Sequence, residues 1–272
     1  MGRKHFKKIM NNKMPVEDIK KVEISILDYI SSVCEQNNIK YYLAYGTLLG
    51  AVRHHGFIPW DDDIDICMMR DDYDKFIKLA CTNSNVRYKL CHRSICKYYT
   101  NEFAKVIDLT TRIEGKGVEI GEDNGLWVDI FPLDVVPKHD RFIRFWIQVF
   151  VAFRVFSIHK TFPKKRSIIW YPIWLVSRII GPYPFLWITD KMSQIGKDGD
   201  RIGYMASLSA SSDCKYSFPK SYFDKTVYLD FEGKKYPAPH MYDAYLKSQY
   251  GNYMQLPPVE KRIQHPVEAY WR

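Results

Sequence analysis

The sequence predicts an α+β protein. Three observations carry that prediction. Apolar residues recur at three- and four-residue steps after Pro15, several short runs rich in β-branched and aromatic residues follow between residues 39 and 136, and a later apolar, basic stretch reads as helix. Hydrophobic residues make up 46% and charged residues 26% of the 272 positions, ordinary values for a globular chain, which excludes a disordered or fibrous protein.

Pro15 reads as a first-turn helix proline. Ile19, Val22, Ile26, Ile30 and Val33 then form one apolar stripe of a helix that runs to about Cys34 and ends at Asn37-Asn38. Residues 39–45 read as a strand, Gly46-Thr47 as a turn, residues 48–53 as a short helix and His54-His55-Gly56 as a second turn. A second strand lies within 58–69, and Asp71 or Asp72 caps a helix that continues through Ala80. Strand-like pieces follow near 86–91, 103–109, 112–120 and 125–136, the last broken by Pro132. Residues 142–158 and 168–188 are the two most apolar stretches. The chain beyond Ile195 is loop-rich, with a strand over 227–231, a turn at Glu232-Gly233 and a helix over 242–250 that stops at Gly251.

The most informative segment is Trp60-Asp61-Asp62-Asp63-Ile64-Asp65-Ile66-Cys67-Met68. On a strand, Ile64, Ile66 and Met68 share one face, and Asp61, Asp63 and Asp65 share the other. Aspartate is a poor strand former, and a row of carboxylates repels itself unless a cation sits there. Carboxylates two residues apart suit a hard, oxygen-loving ion such as Mg²⁺ or Mn²⁺. A solvated acidic edge strand is the plain alternative. Just upstream, Gly46 and Thr47 lie between strand and helix, an arrangement that turns backbone N–H groups and a helix N-terminus toward a phosphate.

Charge is distributed unevenly. Between Lys138 and Lys191 ten lysines and arginines face only Asp140 and Asp190, so this stretch holds most of the chain's +9. It is also rich in Trp, Phe and Ile. Arg144, Arg154 and Arg178 with Pro172, Pro182 and Pro184 disfavour a membrane-spanning helix here. Two readings remain: an amphipathic pair lying on an anionic membrane, or a helical subdomain packed on the core with its arginines toward solvent. None of Cys34, Cys67, Cys81, Cys91, Cys96 and Cys214 forms a CxxC pair, which removes support for zinc or thioredoxin chemistry and fits a reducing, cytosolic setting. The basic N-terminus is not followed by the apolar core of a signal peptide.

The order Gly46-Thr47-Leu48-Leu49-Gly50, Arg53, then Gly56-Phe57-Ile58-Pro59-Trp60-Asp61-Asp62-Asp63-Ile64-Asp65-Ile66 resembles the LicD family of the nucleotidyltransferase-fold (polymerase-beta-like) superfamily, with a more distant likeness to fukutin-related proteins. The likeness continues through residues 103–108 with Thr110-Thr111, through 127–134, and through Tyr245-Leu246, 250–254, 256–258, Lys261-Arg262 and His265. The resemblance implies a mixed-sheet nucleotidyltransferase core with an apolar, basic helical insertion. It divides the chain into residues 1–137 (N-terminal helix and catalytic core), 138–195 (insertion) and 196–272 (the part completing the catalytic domain).

The resemblance further implies a phosphotransferase that moves a phospho-alcohol such as phosphocholine from a CDP-linked donor to a cell-envelope glycan, as in lipopolysaccharide biosynthesis. The superfamily's metal pair falls on Asp63 and Asp65 and its third carboxylate on Asp129, with Asp134 as rival. Those three carboxylates would hold Mg²⁺ or Mn²⁺, and Asp129 would also accept the acceptor's proton. Gly46, Thr47, Lys105 and Arg53 would bind donor phosphates, and Asp61 and His54 would support them. The acceptor would be a glycan or lipid-linked glycan, and residues 142–188 would touch an anionic membrane. The protein would then be cytoplasmic, at the inner face of the cell membrane, with no nucleic-acid partner. Two alternatives stay open: a nucleotidyltransferase moving NMP to a small molecule or protein, and a non-enzymatic module binding membrane or nucleic acid through the basic segment.

Overall fold

The computed structural model describes residues 13–82, 85–114, 124–163, 166–208, 217–262 and 268–272. They form a mixed α/β protein of two compact units. The first is built from residues within 13–96, 103–131 and 222–272, and the second from 97–102 and 132–221. His265, part of 112–120, Lys164, Lys165, Cys214 and most of the basic N-terminus lie outside the described residues.

In the first unit, helix α1 (Val16–Gln36) buries Ile19, Val22, Ile26, Leu27, Ile30 and Cys34, the stripe its periodicity demands. Pro15 is its extended N-cap rather than a first-turn residue. The stripe also contains a carboxylate, Glu23, 4% exposed. The main sheet runs in the order β1 (Tyr42–Leu43), β2 (Asp65–Met69), β6 (Trp127–Val136), β4 (Ala104–Asp108), β3 (Tyr88–Cys91). Helix α1 packs on β4. Strand β5 (Thr111–Glu114) pairs with β11 (Glu268–Trp271).

Several boundaries differ from expectation, each for a physical reason. The first strand shrinks to two residues because the chain turns at Tyr45, whose φ is +46°, into helix α2 (Tyr45–His54). Gly46 and Thr47 therefore belong to the first helical turn. His55, left-handed at φ +57°, closes the helix. Asp71 and Asp72 lie in the first turn of α3 (Arg70–Thr82), where negative charge complements the helix dipole, rather than capping it. Strand β2 starts only at Asp65, so Asp61 and Asp63 precede it and do not share a strand face with Asp65. Ile64, Ile66 and Met68 are nonetheless all at most 1% exposed.

Pro132 does not break β6. Residues 127–130 pair with β4, residues 134–136 with β7 (Arg201–Gly203), and Pro132 falls between the two ladders, where its missing N–H leaves no rung unmade. The hairpin β9 (Thr226–Phe231) and β10 (Lys234–Pro239) turns at Glu232 and Gly233, both at positive φ, the geometry that suits a tight hairpin. Helix α8 (Tyr242–Tyr250) ends at Gly251 as its sequence predicts.

In the second unit, β6 leads into β7 and β8 (Ser217–Pro219) and into helices α4 (Arg141–Ile158), α5 (Tyr171–Ile180), α6 (Tyr183–Ser193) and the short α7 (Met205–Leu208). Gly181, at φ +80°, separates α5 from α6. Val136, Ile147 and Met205 form a core that Ile143, Val151 and Met192 surround. Phe150 and Phe153 meet Phe185, with centroids 6.5 and 5.6 Å apart. The arginines do not simply point to solvent. Arg154 forms an ion pair with Glu102 at 2.6 Å and donates to Thr100 O at 2.9 Å, while Arg144 pairs with Asp140 at 3.1 Å. No helix among the described residues is long and apolar enough to cross a membrane.

A Cβ on Gly50 would come within 2.4 Å of Gly56 O, so the α2 backbone and the following loop touch directly. Alanine ordinarily favours a helix interior over glycine by about 0.5–1 kcal/mol. Gly50→Ala should instead destabilise the protein by about 1–3 kcal/mol in urea unfolding. A variant as stable as the parent would refute that close approach.

Candidate active site

Backbone hydrogen bonds hold the segments that carry the predicted carboxylates. Asp65 is fastened at both of its peptide groups: its N–H donates to Thr47 Oγ1 at 2.8 Å, and its carbonyl accepts from the Ala44 N–H at 3.0 Å. The Asp129 N–H donates to Ile64 O at 3.0 Å, which sets β6 against the start of β2. Across β6, Asp129 stands opposite Lys105 of β4 in the antiparallel register. Lys105 Nζ lies 3.2 Å from Asp129 Oδ1, 4.1 Å from the Trp127 ring centroid and 5.5 Å from that of Phe103. Asp129 Oδ1 is buried, and the Lys105 ammonium is its counter-charge.

Asp134, the rival third carboxylate, lies opposite Gly203 at the β7 end of β6 and is 2% exposed. Five residues apart on one strand, Asp129 and Asp134 project to opposite faces. Asp134 shares the buried phase of Val128, Ile130 and Val136, whereas Asp129 shares the phase of Trp127 and Phe131.

Asp61 reaches the group from the loop before β2. Its Oδ2 would stand 2.9 Å from a Cβ on Gly46, so glycine is where the helix start and a carboxyl approach each other. Burial, and then the charge of Asp63, push Asp61 up to about 7. Burial followed by Asp63 and Asp129 raises Asp65 well above the usual carboxylate range. Burial also raises Asp129, against the opposing pull of Lys105 and a Trp127 hydrogen bond.

A fifth acidic side chain went unrecognised in the sequence. Glu23 of α1 leaves Oε2 buried with no hydrogen-bond partner. Burial, then the charges of Asp63, Asp62, Asp129 and Asp61, hold its carboxyl far above its ordinary range. The available signal was its spacing: Glu23 stands four residues after Ile19 and three before Ile26, inside the apolar stripe.

The remaining predicted residues fall into two roles. Thr47, 3% exposed, spends its oxygen on the Asp65 N–H, a positioning contact the turn reading did not foresee. Arg53 donates to Tyr253 O at 2.7 Å, and Arg262 donates to Pro257 O at 3.0 Å while lying 4.8 Å over the Trp60 ring. Neither guanidinium has a carboxylate partner among the described residues. Burial, then Arg262, lower the Arg53 pKa, so the two cations feel each other. His54, whose ring stands 6.4 Å from that of Trp60, is lowered by burial and then by Arg53. Trp60, which this cationic corner surrounds, directly precedes Asp61 in the chain, and such a corner suits a phosphorylated ligand.

Among the described residues no three acidic, histidine or cysteine side chains are drawn together as a finished ligand set. The fit to a divalent cation is one of chemistry. All the candidate donors are hard carboxylate oxygens, and Asp129 Oδ1 is buried with the Lys105 ammonium, 3.2 Å away, as its counter-charge.

The family described as LicD/FKTN/FKRP, nucleotidyltransferase domain, matches residues 38–168. The lipopolysaccharide cholinephosphotransferase LicD of Haemophilus influenzae is 32% identical over 275 residues, covering 95% of this chain and 98% of that protein. The ribitol 5-phosphate transferases FKRP of Homo sapiens and Mus musculus are each 43% identical over 44 residues, 16% of this chain and 9% of theirs.

Thr47→Val keeps the shape but removes the acceptor of the Asp65 N–H. It should cost about 1–3 kcal/mol in chemical denaturation, and Thr47→Ser should recover most of that. Equal stability of the valine and serine variants would rule out the anchoring contact.

Proposed function

The chain belongs to the LicD family and is a transferase of LicD type, and from that premise we propose that it moves a phospho-alcohol from a CDP-linked donor to a hydroxyl of a cell-surface glycan or lipid-linked sugar. Phosphocholine is the alcohol that the LicD relative's name suggests, and lipopolysaccharide the acceptor class. The observation that carries the reading is the juxtaposition of Asp129 with the Asp63-Ile64-Asp65 segment through the Asp129 N–H to Ile64 O bond.

Asp63, Asp65 and Asp129 would hold Mg²⁺ or Mn²⁺, which supplies electrostatic stabilisation of the charge developing on the transferred phosphoryl group. The chain's own residues do the rest. Arg53 and Arg262 receive the negative charge of the donor diphosphate at the corner lined by Trp60 and His54. Gly46 leaves room beside the helix start. The acceptor hydroxyl attacks the distal phosphorus, the bond from that phosphorus to the leaving CMP oxygen breaks, and the acceptor proton passes to Asp129. Lys105 holds Asp129 in place and offsets part of its charge.

The second unit supports a membrane-bound acceptor. Ile168, Ile169, Val176 and Ile179 are each more than half exposed, Ile179 reaching 77%, and they share their segment with the chain's basic excess. An apolar surface of this kind beside lysine and arginine suits the face of an anionic bilayer at the inner side of the cell membrane.

Two experiments test these assignments. Incubation with CDP-choline, a glycan acceptor and Mg²⁺ should release CMP rather than pyrophosphate. Asp63→Ala, Asp65→Ala and Asp129→Ala should each lower turnover by about a thousandfold or more while leaving the folded state intact. Pyrophosphate release, or near-normal turnover in those variants, defeats the reading. Separately, replacing Ile168 and Ile179 together with Asp should abolish co-flotation with vesicles containing phosphatidylglycerol. Undiminished flotation excludes this surface as the docking face.

A further inference from the structure

We propose that Tyr45, Phe103 and Phe131 form an aromatic wall that receives the quaternary ammonium of the donor's phosphocholine and so sets the choice of alcohol. The inference rests on the phosphotransfer reading above and assigns the part of the site that recognises the transferred group. Strand register builds the wall. Lys105 stands opposite Asp129 and Ala104 opposite Ile130, so Phe103 and Phe131 lie just beyond the last pair of that ladder, on the face that carries Lys105 and Asp129. Their ring centroids are 4.6 Å apart, and Tyr45 meets Phe131 edge-on at 5.2 Å. Tyr45 takes this place from a left-handed backbone, φ +46°, a conformation that bulky residues rarely adopt and that clusters at ligand sites. All three side chains are half-buried, whereas Val128 and Ile130 on the other face of β6 are buried. The wall already stands beside a cation. Lys105 Nζ is 5.5 Å from the Phe103 centroid and leans further toward Trp127, at 4.1 Å, while Asp129 meets its charge at 3.2 Å. Phe131 lies on the other side of Asp129 from Trp127 along β6. Two residues advance a strand by about 6.6 Å, the scale of the two-carbon linker that joins phosphate to nitrogen in phosphocholine. A phosphorus held beside Asp129 thus places its ammonium at the Phe131 end. A quaternary ammonium has no N–H to give a carboxylate, so it leaves Asp129 to Lys105 and lies against ring faces. A primary ammonium is strongly hydrated and loses more by the same move.

The test reads ligand preference at equilibrium, not turnover. The full chain with Mg²⁺ is titrated by calorimetry with CDP-choline, with CDP-ethanolamine and with the uncharged tert-butyl analogue of CDP-choline, which keeps the shape of the headgroup without its charge. The parent should bind CDP-choline about tenfold more tightly than either of the others. Phe131→Leu and Phe103→Leu, which keep an apolar side chain and remove the ring, should each reduce that preference to within about threefold. A variant that is only less well packed weakens all three ligands in proportion and keeps the ratio, so the ratio separates recognition from structure. Should the Phe131 variant fail to fold, the Phe103 variant decides by the same ratio. A parent that binds CDP-choline and CDP-ethanolamine alike, or leucine variants that retain the parent's preference, overturns the aromatic wall and leaves transfer from a CDP-linked donor standing. A parent that binds none of the three overturns both.

Discussion

Like charges do not gather by themselves, so the site depends on the backbone hydrogen bonds that fasten its carboxylate-bearing segments. Asp65 is fixed through both of its peptide groups, to Thr47 Oγ1 and to the Ala44 N–H, and Asp129 is tied to Ile64 by its own N–H. These contacts are neutral and short-ranged. They hold whether or not the acidic side chains are compensated. The lysine opposite Asp129 follows from the same principle, because antiparallel register alone sets the pair face to face.

Much of this was legible in the sequence. Alternation along Ile64, Ile66 and Met68 identified the buried face of β2, and helical periodicity identified the stripe of α1. What failed was the assumption that alternation extends backward through Asp61 and Asp63, which lie in the preceding loop. Pro132 misled for a related reason: a missing N–H matters only where a ladder needs it, and β6 changes partners at that point. Glu23 was overlooked because a glutamate on an amphipathic helix ordinarily sits at the solvated edge. Contacts such as Arg53 with Tyr253, separated by 200 residues, carry no local signal at all.

The basic excess of residues 138–191 also proves less uniform than composition implies. Arg154 turns inward to Glu102 and Thr100, and Arg144 to Asp140, so part of the positive charge is consumed inside the helical unit. The apolar side chains behave in the opposite way. Ile168, Ile169 and Ile179 remain outside, whereas Ile147 and Phe156 of α4 and Leu186 of α6 are buried. Half-buried, ion-paired arginines in the same unit as exposed isoleucines reverse the usual sorting in water.

The first unit is discontinuous along the chain, and its later portion, 222–272, supplies Glu232, which accepts from the Phe57 N–H at 3.0 Å, and the Tyr253 carbonyl that receives Arg53. On the ribosome, the acidic motif therefore emerges about 160 residues before the segments that brace the loop and helix around it. Through that interval the apolar helices of the second unit are synthesised first. A nascent polypeptide of this kind has the exposed apolar side chains of its second unit synthesised while the loop that carries Asp61 and Asp63 still lacks its braces.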